Sequence, residues 1–129
     1  LLPVVMSKEP LTPSTINADP AWADAVRWIV YGLMQAEELG ITQANLEAKL
    51  AEAKANPNQA ELRRFLGVEG EFGRQLGLPA DFVVQAIRAV GNYGEIFELN
   101  LGRDSKLKLD RGMNRLWTQG GLIYSPPFR

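Results

Sequence analysis

The sequence predicts a mainly α fold, several short and medium helices with one N-terminal strand, and three observations carry that prediction. Apolar residues recur at three- and four-residue spacing in successive stretches. Helix-capping residues and prolines stand just before those stretches, and glycines just after them. Only the short run Val4 to Met6 has the composition of a strand.

Each element follows from its local chemistry. The prolines at 10 and 13 bias Ser7 to Pro13 toward extended or turn structure. Asp19 is placed to cap a first helix, and Pro20 fits its first position because the missing N–H would be unpaired there. Trp22, Ala25, Val26, Ile29, Val30, Leu33 and Met34 give that helix one apolar face, and Gly40 ends it. Thr42 caps the next helix, Ile41 and Leu46 have the spacing of a hydrophobic staple, and Asn56-Pro57 terminates it. With only Leu46, Leu50 and alanines to bury, this helix is expected at the periphery.

Asn58 and Glu61 then have capping-box spacing before Leu62, Phe65 and Leu66, and Gly67 closes the turn. A single helical turn is expected between Gly70 and Gly77, anchored by Phe72 and Leu76. Pro79 opens a helix whose apolar face is Phe82, Val83, Ala86, Ile87 and Val90. Gly91-Asn92-Tyr93-Gly94 interrupts it, and Ile96, Phe97 and Leu101 resume the pattern to Gly102. Asp104-Ser105-Lys106 reads as a turn, and Lys106 to Asp110 alternates polar and apolar residues. Asp110 is expected to cap a last helix with Met113, Leu116 and Trp117 inward, ended by Gly120-Gly121. The tail from Leu122 is extended, because Pro126-Pro127 cannot continue a helix. No repeat or linker divides residues 1–129, so they are expected to form a single helical domain.

Composition narrows the chemistry. The 129 residues contain no cysteine and no histidine, which removes thiol nucleophiles, thiolate metal sites and the commonest general base. A formal charge of -1 gives no field that would attract nucleic acid or an anionic membrane. No run approaches the ~20 apolar residues that span a bilayer. The start, Leu1 to Met6, is too short for a signal peptide and lacks a basic leader, so it reads as a chain entered partway through a strand, with a larger N-terminal part before it.

The candidate sites each have a plain alternative. Glu37 and Glu38 are adjacent on a helix and point about a hundred degrees apart, which favours a solvated helix end over an acid/base pair. Glu69 and Glu71 could flank a cleft as glycosidase carboxylates, which need a separation of about 5–10 Å. The glycines at 67, 70 and 73 match neither a dinucleotide fingerprint nor a P-loop, and caps or tight turns explain them better. Trp22, Trp28, Trp117, Tyr31, Tyr93 and Tyr124 could line an aromatic ligand box, though core packing is the commoner role for aromatics on helices. Arg63-Arg64 is too small for a phosphate track, and Ser125-Pro126-Pro127 is not a full polyproline ligand. No catalytic residue, metal ligand or cofactor is assigned.

Several segments together resemble a known family. They are Ser7-Lys8-Glu9-Pro10-Leu11, Asp24 to Ile29, Ala36-Glu37-Glu38-Leu39-Gly40-Ile41-Thr42 and Arg63-Arg64-Phe65-Leu66-Gly67-Val68-Glu69-Gly70. Leu76-Gly77-Leu78, Val90-Gly91-Asn92-Tyr93-Gly94-Glu95-Ile96-Phe97 and Arg111-Gly112-Met113-Asn114-Arg115-Leu116-Trp117 follow, and then the ending from Gly120 to Arg129. In this order they resemble the C-terminal third of the periplasmic general L-amino-acid-binding proteins of bacterial ABC importers. The resemblance implies the C-terminal portion of a two-lobed periplasmic-binding-protein fold. It implies that the ligand contacts lie upstream of Leu1, among them the arginine for the ligand carboxylate and the acidic residue for its ammonium. No segment matches those positions, so no ligand-binding residue is assigned. The implied partners are the upstream lobes of the same polypeptide, the importer's membrane subunits and, through the full-length protein, an L-amino acid. The alternative is a stand-alone helical interaction module, dimeric through surface meant for the missing lobe. A carboxylate enzyme is the third reading, and no enzyme activity is expected.

Overall fold

The computed structural model describes residues 11–128. It contains six α-helices: α1 (Pro20–Glu38), α2 (Leu46–Ala55), α3 (Ala60–Phe65), α4 (Phe72–Gln75), α5 (Phe82–Val90) and α6 (Tyr93–Asn100). Two 3₁₀ turns follow, Gly112–Asn114 and Trp117–Gln119. The fold is thus mainly helical, and the only β pairing among the described residues is an isolated parallel bridge between Leu116 and Ile123. The strand expected at Val4 to Met6 lies outside the described residues.

The long helix α1 starts as its sequence requires. The Asp19 carboxylate accepts the Trp22 N–H at 2.9 Å, and Pro20 occupies the first turn. Gly40 ends it at φ +65°. Helix α1 packs against α5 and α6, while α2 packs against α3 and α5. The core they enclose is built on Ile41, Leu46, Leu66, Val84 and Ile87, all fully buried. Ile41 and Leu46 are both buried as the expected staple would require, but the helix starts at Leu46 with Asn45 in the cap position, so they do not stand at staple positions. Thr42 closes the turn that leads into α2 and is not its cap: its hydroxyl accepts the Asn45 N–H at 3.2 Å, the Asn45 side chain accepts the Thr42 N–H at 2.8 Å, and Asn45 holds the cap position.

Four further expectations are corrected. The Asn58–Glu61 box does not form, because the Asn56 side chain accepts the Asn58 N–H at 3.0 Å and this local turn moves the helix start to Ala60. Pro79 begins a single turn, with the Phe82 N–H on the Pro79 carbonyl at 3.1 Å, so α5 starts three residues later. On α5, Val90 is exposed and Val84 is buried, because this helix is packed by α1 and also by α2, which broadens its buried face. The helix expected after Asp110 is replaced by the two 3₁₀ turns, and Met113 and Trp117 are exposed while Leu116 is buried. Here the backbone finds long-range partners instead of i−4 ones. Leu122 N–H donates to Met113 O at 2.8 Å, Ile123 N–H to Arg115 O at 3.0 Å, and Trp117 N–H to Ile123 O at 2.9 Å. A Cβ at Gly121 would stand 1.9 Å from Arg115 O, so only glycine permits this pairing.

The glycines at 67 and 73 also serve a close approach. A Cβ at Gly67 would meet Ala80 O at 2.0 Å, and one at Gly73 would meet Pro79 O at 2.4 Å. They let the 79–81 backbone lie directly on the turns that precede it.

Helix α6 carries a capping box absent from the expectations above. Asn92 Oδ1 accepts Glu95 N–H at 2.9 Å, and Glu95 Oε2 accepts Asn92 N–H at 2.8 Å. Asn92 is buried, and its amide also donates to Ile41 O at 2.8 Å. Asn92→Ala removes the cap and leaves that carbonyl without its side-chain donor, so chemical denaturation is expected to report a loss of about 2 kcal/mol. A loss under about 0.5 kcal/mol would show that neither bond contributes to stability.

Candidate functional site

The one strongly buried ion pair among the described residues joins the end of α1 to the irregular 101–128 segment. Arg111 donates from Nη1 to Glu37 Oε1 and from Nη2 to Glu37 Oε2, the latter at 3.1 Å. Side-chain exposure is 12% for Arg111 and 13% for Glu37, so the pair is largely removed from water. The same guanidinium donates to Asn114 O at 2.6 Å and lies 5.6 Å from the Tyr93 ring centroid and 5.4 Å from that of Phe97. A Cβ at Gly94 would fall 2.9 Å from the Glu37 carboxylate and 3.1 Å from Arg111 Nη1. Glycine at 94 therefore opens the space in which the pair meets.

Glu37 is thus not the solvated helix end expected from sequence. Its neighbour Glu38 turns elsewhere and accepts the Trp117 indole N–H at 3.2 Å. The two carboxylates serve different partners, and both tie α1 to the segment that follows α6.

Beside this pair lies an open groove of about 510 Å³, lined by Glu98, Arg103, Lys108, Asp110 and Arg115 among others. Its arginines are already matched. Arg103 pairs with Glu98 at 3.2 Å and Arg115 with Asp110 at 2.9 Å. Each arginine of the groove therefore holds a carboxylate of the chain itself, which leaves no free guanidinium for a ligand carboxylate. The Gly112 N–H, first, and Arg115, second, hold the Asp110 carboxyl below its usual range. A group with a depressed folded pKa stabilises the fold above its unfolded value, and that contribution is lost as pH falls through the folded value. NMR titration of Asp110 is expected to give a midpoint below that of a free aspartate. In Arg115→Gln the midpoint should rise only partway, because the Gly112 bond remains; a midpoint at the free value in the parent chain would contradict the assignment.

The other candidates resolve into structure. Glu69 pairs with Arg63 at 2.9 Å and Glu71 with Arg74 at 3.0 Å. Both acids line a crevice of about 80 Å³, far below the few hundred Å³ that a small-molecule site occupies. Arg63 also donates to Ala53 O on α2 at 2.8 Å and Arg64 to Ala60 O in its own turn at 3.2 Å, so the dipeptide ties α3 to α2 and braces α3 itself. The six aromatics do not form a box. Trp22, Trp117 and Tyr124 are exposed, while Trp28 meets Tyr31, Phe72 and Phe128 edge-on at 5.5, 4.6 and 5.2 Å. Glu52, on α2, is held below the usual carboxylate range by the Gln59 amide and then by Lys49. Among the described residues no group of three acids could hold a metal ion, and no helix is long and apolar enough to cross a membrane.

No protein-family model matches the chain. Individual proteins do. It is 52% identical, over its whole length, to the glutamate/glutamine/aspartate/asparagine-binding protein BztA of Rhodobacter capsulatus. It is 49% identical, again over its whole length, to the general L-amino acid-binding periplasmic protein AapJ of Rhizobium johnstonii. Among solved structures it matches an ABC transporter periplasmic binding protein from Brucella ovis with glutathione bound, at a TM-score of 0.87 and 48% identity over 99% of the chain. The chain is homologous to bacterial amino-acid-binding proteins of ABC transporters. It spans 37% of the length of BztA and of AapJ, and 39% of the Brucella ovis chain. This homology agrees with the family resemblance of the ordered segments, and the Brucella ovis match places the helical fold as a portion of a periplasmic binding protein.

Proposed function

We propose that this chain is the C-terminal portion of a periplasmic amino-acid-binding protein of an ABC importer, and that it acts as one helical domain supporting the ligand-selective part of the same polypeptide. The observation that carries the reading is full-length homology to amino-acid-binding proteins of which the chain spans little more than a third. The pairing of Arg103, Arg111 and Arg115 with carboxylates of the chain itself supports it, since bidentate recognition of a ligand carboxylate needs a free guanidinium and the groove presents none. The whole protein would take ligands with a free α-amino and α-carboxylate group. Both the amino acids named for BztA and the glutamyl end of the glutathione bound in the Brucella ovis protein carry those groups. It would deliver them to the importer's membrane subunits and would carry out no chemistry on them.

The test is a chimera in which this chain replaces the matched portion of the Brucella ovis protein. The chimera is expected to bind glutathione within about tenfold of the parent's Kd, a difference of about 1.4 kcal/mol. A folded chimera that binds nothing would overturn the proposal.

A further inference from the structure

We propose that the exposed apolar face carried by residues 99–124 is the surface on which the remainder of the amino-acid-binding polypeptide packs. The inference rests on the proposed function, which supplies the occupant. Twelve large hydrophobic residues among those described are exposed, and eight of them lie between Leu99 and Tyr124. The helical stretch from residue 20 to residue 97 exposes only Trp22 and Val90. The asymmetry is too strong for the scattered apolar exposure that every surface has.

Backbone pairing gathers these residues. The Leu109 N–H donates to Leu101 O at 2.8 Å, which sets those two side by side. The Leu122 N–H donates to Met113 O at 2.8 Å and joins a second pair. Exposures of 59% at Leu107, 48% at Met113 and 54% at Leu122 leave these side chains mostly bare. The segment does not hold its shape by burying them. It is held by polar anchors on its inner side, Arg111 on Glu37 and Trp117 on Glu38. A segment fixed from within by polar bonds, with leucines and methionine outward, has the composition of an interface core with a charged rim, here Arg103, Lys106 and Lys108.

The occupant follows from length. In the Brucella ovis protein a region of this shape is 39% of the chain, so most of that polypeptide lies outside it and has to contact some part of its surface. Covering the most apolar part is favoured in proportion to the apolar area removed from water.

Hydrogen exchange on the Brucella ovis chimera and on this chain alone tests the inference. Amides of 107–122 are expected to exchange at least about tenfold more slowly in the chimera, while those of 22–30 on α1 are expected to change little. Met113→Asp and Leu122→Asp should each lower the melting temperature of the chimera by about 5 °C and leave that of the chain alone unchanged. If the chimera folds and binds glutathione but 107–122 exchanges as in the chain alone, the face is assigned wrongly and the proposed function stands. If the chimera fails to fold, both are overturned. Protection of 107–122 in the chain alone that grows with concentration would seat a second copy on the face and also overturn the inference.

Discussion

Phe128→Ala is expected to destabilise the fold by about 4 kcal/mol, the largest effect of any single truncation considered for this chain. Phe128 is only 8% exposed although it stands next to the end of the sequence. Its ring meets Trp28 at 5.2 Å, Phe65 at 5.2 Å and Phe72 at 5.3 Å, each edge-on or nearly so. It lies 6.4 Å from Phe82 and stacks on it. These neighbours come from α1, α3, α4 and α5, so one side chain holds four helices and the returning tail together. Gly32 on α1 leaves room for it, since a Cβ there would meet the Phe128 ring at 3.5 Å and Val83 at 3.0 Å. Truncation would leave a cavity bounded by rigid rings that cannot collapse into it. Denaturation monitored by Trp28 fluorescence is the measurement. A loss below about 1 kcal/mol would mean that the tail is not part of the core.

Glu37→Ala is expected to cost about 3 kcal/mol, more than removal of any exposed pair in the chain. The substitution leaves the Arg111 guanidinium in its niche between the Tyr93 and Phe97 rings without its carboxylate. The cost is dominated by that uncompensated charge, so Glu37→Met combined with Arg111→Met should recover most of it. By contrast, Arg88→Ala breaks an exposed pair with Glu47 and should change stability by less than about 0.5 kcal/mol. If the single and double variants were equally destabilised, Arg111 would act through its apolar stem and its bonds to Asn114 instead of through charge. Exchange protection around Trp117 is expected to fall in Glu37→Ala, because the pair holds that segment to α1.

The helices whose ends are local events were legible in the sequence. Asp19-Pro20, Gly40, Thr42, Asn56-Pro57 and Gly67 each act on neighbouring backbone, and the structure has them doing so, with the regular start of α2 displaced by one turn. Asn92 and Glu95 were equally legible in principle, at the spacing of a capping box, but stood inside a glycine-rich stretch read as an interruption. The segment after Gly102 was not legible. Its hydrogen bonds run from 121–123 back to 113–117, and nothing in the local pattern outweighs the helical spacing of Met113, Leu116 and Trp117. The Glu37–Arg111 pair, 74 residues apart, was hidden for the same reason. A buried carboxylate at a helix end has no local mark, and only Gly94 hints at the space it needs. The role of Phe128 depended on recognising that an extended tail after two prolines returns to the core.

The most direct measurement is calorimetric titration of the 129-residue chain with L-glutamate, L-glutamine and glutathione. With ligand selectivity residing in other residues of the polypeptide, as proposed above, no saturable heat is expected at millimolar ligand. Saturable binding by this chain with a Kd of about 1 μM, near −8 kcal/mol, would mean that these helices contain the selective site themselves and would contradict the account.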